Sequence, residues 1–184
     1  MTIDLTGSGM LAITRDSLFA LRAALIRDTG AAAAGYLQEA GYAGGGALFD
    51  AFRSWLVARG AGSPESLSVD AFQRHATEFF RRAGWGSLQV GALDETVATL
   101  DSADWGEAAP DAGANQPSCH ITAGMFADFF GRVADAPLAV MEVECRSAGS
   151  PRCRFLLGST EVMERVYEEM SRGSAYESAV TTAR

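Results

Sequence analysis

Three cysteines, Cys119, Cys145 and Cys153, are the only ones in the chain and all fall in its last third. An odd number cannot pair off into disulfides, and in a reducing compartment thiols serve as metal ligands or as small buried side chains. Cys145 and Cys153 flank the run Ser147, Ala148, Gly149, Ser150 and Pro151, a turn that folds its two flanks toward each other. Cys119 falls at a predicted helix start, where the helix dipole favours a thiolate. Three thiolates and one carboxylate or imidazole make a tetrahedral structural site, and the softness of sulfur selects zinc over magnesium or calcium. The residues alone leave the fourth ligand open. Glu142 and Glu144 lie on the strand that enters Cys145, and His120 follows Cys119. In a regular strand both glutamates point away from the Cys145 face, so a ligand at Glu142 requires a bulge or twist. The competing reading is three cysteines packed as small hydrophobes, which is common. The gap between Cys145 and Cys153 is also unlike that of a zinc finger.

The elements that must hold these residues follow from periodicity. Residues 10–13 are short and apolar and read as a strand. Thr14 or Asp16 caps a helix to about residue 28, with Leu18, Leu21, Leu25 and Ile26 at helical spacing. Residues 31–59 read as helix, broken or bent at Gly44, Gly45 and Gly46, with an aromatic stripe at Phe49, Phe52 and Trp55. Ser68 or Asp70 opens a third helix, ending near Gly84. Residues 87–92 and 95–101 read as two strands joined by a tight turn. Residues 103–118 form a loop, read as mobile. A helix over 119–133 buries Met125, Phe126, Phe129 and Phe130. Residues 138–145 and 153–157 form a strand pair, and a closing helix spans 160–171. The fold class is thus α/β of the α+β kind, with helices packed on a small, mostly antiparallel sheet. Residues 10–172 make one domain with its motif core at 119–157. The N-terminal tail is 1–9, and 173–184 are expected to be a disordered tail.

Bulk composition narrows the function classes. With 184 residues, 48% of them hydrophobic, the chain can build a full core. The 23 acids outnumber 15 arginines, and there is no lysine, so the net charge of -8 argues against nucleic acid as a partner. No apolar stretch reaches membrane-spanning length, and the N-terminus lacks a signal-peptide pattern, so the expected compartment is the cytoplasm. No nucleophile elbow or dinucleotide motif is present, and no catalytic residues are assigned.

The run from Cys119 through Gly124, Phe129, Phe130 and Gly131 to Glu142-Val143-Glu144-Cys145, then Gly149, Pro151, Cys153, Arg154 and Phe155, resembles the 4-vinyl reductase domain. That family includes sensory domains of aromatic-responsive regulators, archaeal hydrocarbon-binding proteins and a bacteriochlorophyll-synthesis protein. It is similar in fold to small subunits of the TRAPP vesicle-tethering complex. The resemblance implies a zinc site of three cysteines and one glutamate, falling on Cys119, Glu142, Cys145 and Cys153. It also implies a homodimer, an apolar ligand cavity and a protein partner for signalling. Residues expected to line the cavity are Phe72, His75, Phe79, Trp85, Trp105, Met125 and Phe129, with ordinary core packing as the alternative for each aromatic. The function expected is a zinc-stabilised sensory module for a small hydrophobic or aromatic ligand. An accessory or carrier protein in tetrapyrrole metabolism and a structural dimeric adaptor are the alternatives. No feature would bind the hydride donor that the family's name implies, so the expectation is a protein that is not an enzyme.

Overall fold

The computed structural model describes residues 9–183. The elements, in chain order, are α1 (Arg15–Thr29), α2 (Ala33–Ala58), α3 (Val69–Arg82), β1 (Gln89–Ala92), β2 (Ala98–Ser102), α4 (His120–Ala134), β3 (Leu138–Glu144), β4 (Cys153–Ser159), α5 (Thr160–Ser171) and α6 (Tyr176–Thr182). The four strands form one antiparallel sheet in the order β1-β2-β4-β3. Alternation along β4 divides the two faces. Cys153, Phe155 and Leu157 look toward α2, α3 and α4, while Leu156 looks toward α5 and α6. The helices therefore cover an antiparallel sheet on both sides, which is the α+β arrangement expected from the sequence.

The inner core is aromatic. Phe52, Phe79, Phe80, Phe126, Phe129 and Phe155 are fully buried and meet mostly edge to face, the arrangement that ring quadrupoles favour. α2 and α4 approach unusually closely. A Cβ at Gly41 would stand 2.0 Å from the Ile121 carbonyl oxygen, and one at Gly124 would stand 1.9 Å from that of Gln38. Only glycine permits that contact.

Four expectations need correction. Residues 10–13 are not a strand: they run as irregular chain into the Thr14 cap, with Leu11 and Ile13 exposed. α2 passes unbroken through Gly44 to Gly46, because α4 packs against Gly45 and supports the helix there. The loop 103–118 is anchored, since Trp105, Glu107 and Ala108 are buried. The expected C-terminal disorder fails at α6, where Ala179 and Val180 bury against Val97, Leu156, Met163 and Val166. Small side chains read as polar tail, yet they fit a shallow apolar surface. Residues 1–8 of the expected N-terminal tail lie outside the described residues, and only Gly9 falls within them. Among the described residues, no helix is long and apolar enough to cross a membrane.

Candidate metal centre

Each candidate ligand is delivered by a different end of an element. Cys119 is the N-cap of α4. Cys145 follows β3 and leads into a short helical turn, Arg146–Ala148, closed by Gly149 at φ 88°. Cys153 opens β4. The register of β3 on β4 shifts between Glu142 and Glu144. That bulge decides which glutamate turns inward. Glu142 pairs with Phe155 of the inner face, and Glu144 pairs with Arg154 of the outer face.

The four donor atoms lie within 4.8 Å of one another. Cys119 Sγ is 3.8 Å from Cys145 Sγ and 3.9 Å from Cys153 Sγ. For metal–sulfur bonds of about 2.3 Å the edge of a tetrahedron is about 3.8 Å, so the sulfurs already stand at ligand spacing. All three cysteines are buried. Glu142 Oε2 accepts from the Cys119 backbone N–H at 2.8 Å, and Oε1 is buried with no hydrogen-bond partner. A buried carboxylate oxygen without a donor is costly, and a cation among three sulfurs would satisfy it. The residues present therefore fit a metal ion.

The electrostatics agree. Burial, reinforced by the charge at Cys145, pushes the Glu142 carboxyl up to about 8. Thiol hydrogen bonds from Cys119 and Cys153 drive Cys145 well below the usual thiol range. Cys119 is driven up by its hydrogen bonds to Cys145 and Cys153, then by burial. Cys153 is raised on balance: its bond with Cys119 pulls it down, but the bond to Cys145 and burial outweigh this. Without a cation the cluster holds one sulfur charge and resists more. Glu144 is spent elsewhere. Arg152 grips it at 2.8 and 2.9 Å, Tyr176 Oη donates to it at 2.6 Å, and the Arg152 bonds hold its carboxyl below the ordinary range. His120 is half-buried and beside the cluster, and burial lowers its pKa. An open cleft of about 760 Å³, lined in part by Gln38, Gln116, His120 and Glu142, gives solvent a route to the carboxylate side.

The residues expected to line a ligand cavity divide. Phe72, Phe79, Trp105, Met125 and Phe129 join one aromatic core. Trp85 stacks on Trp105 at 5.7 Å and, with Met125, lines an apolar groove of about 710 Å³ beside α1 and α2. His75 stands apart, half-buried, its ring 5.9 Å from Trp55. Sequence reasoning missed Trp55 as a polar group, and it missed Glu107 and Arg22 altogether. Glu107 is fully buried and receives N–H bonds from the start of α4, and Arg22 donates to nearby carbonyls. No local pattern marks either one.

The class that this fold and site define is the 4-vinyl reductase domain: residues 107–159, which contain all four candidate ligands, match that family. Solved structures extend the likeness over most of the chain. The phenol-responsive sensory domain of the transcription activator PoxR, solved with phenol, superposes with a TM-score of 0.68 at 18% identity, over 88% of this chain and 82% of that one. A vinyl-4-reductase family protein from Methanocaldococcus jannaschii gives 0.54 at 16% identity, over 84% and 87%. Subunit 3 of a trafficking protein particle complex from Naegleria fowleri, covalently bound to palmitic acid, gives 0.60 at 13% identity, over 78% and 91%. At these identities the likeness is one of fold. Among curated protein sequences nothing matches.

Proposed function

We propose that this chain is a non-catalytic binding module for a small aromatic molecule bearing a hydroxyl group, built around a structural zinc ion and working as a homodimer. The observation that carries the ligand reading lies between α2 and α3. Trp55 is 4% exposed, and its Nε1 has no hydrogen-bond partner. The neighbouring His75 likewise makes no hydrogen bond among the described residues; its one contact of note is with the Trp55 ring. Phe52, Phe72 and Phe79 wall the same region, with ring centroids 5.1 to 5.8 Å apart around Phe52. An indole N–H only donates, and a neutral imidazole offers one acceptor nitrogen. A hydroxyl serves both at once, accepting from Trp55 and donating to His75. An alkane serves neither. The likeness in fold to a phenol-responsive sensory domain supports the same ligand class.

For the metal, three soft sulfurs and one oxygen favour zinc. Zinc would hold Cys119, Cys145, Cys153 and Glu142 together and neutralise their charge. Four protein ligands leave no open position for catalysis, so its role is structural. For the dimer, Leu11, Ile13, Leu21 and Ile26 are exposed on the segment before α1 and on α1 itself. The adjoining groove has Gly44 in its lining, where an added Cβ would meet nothing within 4 Å. A two-fold interface needs projections and hollows on one patch, and this patch carries both.

Thermal-shift measurements with phenols, alkylbenzenes, fatty acids and porphyrins test the reading. A phenol at about 100 times its dissociation constant should add about 2.7 kcal/mol, a rise of about 5–10 °C. A shift with porphyrins alone would move the assignment to a tetrapyrrole carrier. No shift with any class would leave the structural adaptor. Light scattering should give twice the chain mass, and Gly44→Leu, which fills the groove without a clash, should give the single mass.

A further inference from the structure

A helix start leaves its first N–H groups without partners, and the N-cap side chain ordinarily accepts from the second or third of them. α4 departs from this pattern. Its N-cap is Cys119, whose side chain makes no capping bond and faces the two other sulfurs instead. The donors go to a residue from a distant loop. The Ile121 N–H donates to Glu107 Oε1 at 3.0 Å, and the Thr122 N–H donates to Oε2 at 2.7 Å. Thr122 Oγ1 donates to the same Oε2 at 2.5 Å and accepts from Trp105 Nε1 at 2.7 Å.

Glu107 is 0% exposed. Burying a carboxylate is costly, and a Ser or Asp at the N-cap would serve the helix locally at far lower cost. A cysteine stands there instead, and the cap is imported. Arg22, buried on α1, secures the import. Its Nη1 donates to the backbone carbonyls of Glu107 at 3.1 Å and Ser118 at 3.3 Å, so one guanidinium pins both ends of the loop that leads into Cys119.

We infer that Glu107 is a positioning residue for the metal centre: by capping α4 from outside it frees Cys119 Sγ for the ion and fixes where that sulfur stands, while Arg22 holds Glu107 in place. The inference rests on the cluster binding a metal.

The test uses the whole chain loaded with cobalt(II), whose thiolate charge-transfer absorption reports the site, and follows release to excess EDTA. Glu107→Gln keeps the side-chain volume but must turn an amide NH₂ toward one of the helix N–H groups. It should still take up cobalt but release it about tenfold faster, the scale expected when a partner that orients a metal ligand is lost. Its charge-transfer band should also shift. Arg22→Leu, acting only through the backbone carbonyls, should accelerate release less. Val180→Ala, a core truncation on the far face of the sheet, should lower the melting temperature and leave release at the wild-type rate. Glu107→Gln releasing cobalt no faster than Val180→Ala would overturn the inference. Should Glu107→Gln not fold, Thr122→Val removes one of the three donors. It should also speed release, and an unchanged rate overturns the inference equally. A wild-type chain that takes up no cobalt overturns the metal reading and this one together. Uptake with unaltered release in the variants overturns this one alone.

Discussion

Two buried polar atoms among the described residues have no hydrogen-bond partner: Glu142 Oε1 and Trp55 Nε1. They sit in opposite chemical settings. Glu142 Oε1 is an acceptor crowded by three sulfurs, so what it lacks must be positive. Trp55 Nε1 is a donor ringed by Phe52, Phe79 and His75, so what it lacks must be a neutral acceptor with an apolar body. A folded chain rarely leaves either kind of atom unpaired. The pair therefore separates one role that holds the fold together from one that reads a ligand, and each can be broken without the other.

The largest effect is expected at the metal end. Structural zinc contributes roughly 10–16 kcal/mol in small peptides that fold only around it. This chain has an aromatic core besides, so Cys145→Ser should cost less, about 3–5 kcal/mol, or about 6–20 °C of melting temperature. Elemental analysis should find one zinc per wild-type chain and none in the variant. A variant that melts at the wild-type temperature would show that the ion, if bound, does not support the fold.

At the aromatic end, Trp55→Phe removes the donor and keeps a ring. Losing one hydrogen bond of about 1.4 kcal/mol should weaken phenol binding about tenfold. Zinc content should not change. Calorimetric titration checks the first statement and elemental analysis the second. Loss of zinc from Trp55→Phe would break the separation between the two ends.

The two ends also differ in how far the sequence reveals them. Cysteines are rare enough that their spacing carries information. The need for a bulge at Glu142 follows from strand alternation, and β3 has one there. What turns Glu144 outward, however, is Arg152, Arg154 and Tyr176, and partners from β4 and α6 cannot be read from a strand's own pattern. Gly41, Gly45 and Gly124 look like helix breakers because composition shows the missing side chain and not the helix that fills its place. Trp55 is legible as one member of an aromatic stripe. That its N–H points at nothing is a three-dimensional fact. Glu107 and Arg22 stand 85 positions apart and meet only through the fold.

The smallest effect tests the ligand's chemistry most directly. Toluene has the ring of phenol without the hydroxyl, so at a site whose polar handles are Trp55 and His75 it should bind about tenfold more weakly than phenol. The Trp55→Phe variant has lost one handle and should discriminate less. Hydroxyl removal and donor removal then form a cycle, and two groups in contact should give a coupling of about 0.5–1 kcal/mol. His75→Phe should give a second coupling of similar size, since the hydroxyl donates to it. Phenol and toluene affinities for the wild type and both variants, six titrations in all, decide the matter. If hydroxyl removal costs the same in all three proteins, the hydroxyl is bound elsewhere, and the unpaired Trp55 N–H is not the reader of the ligand.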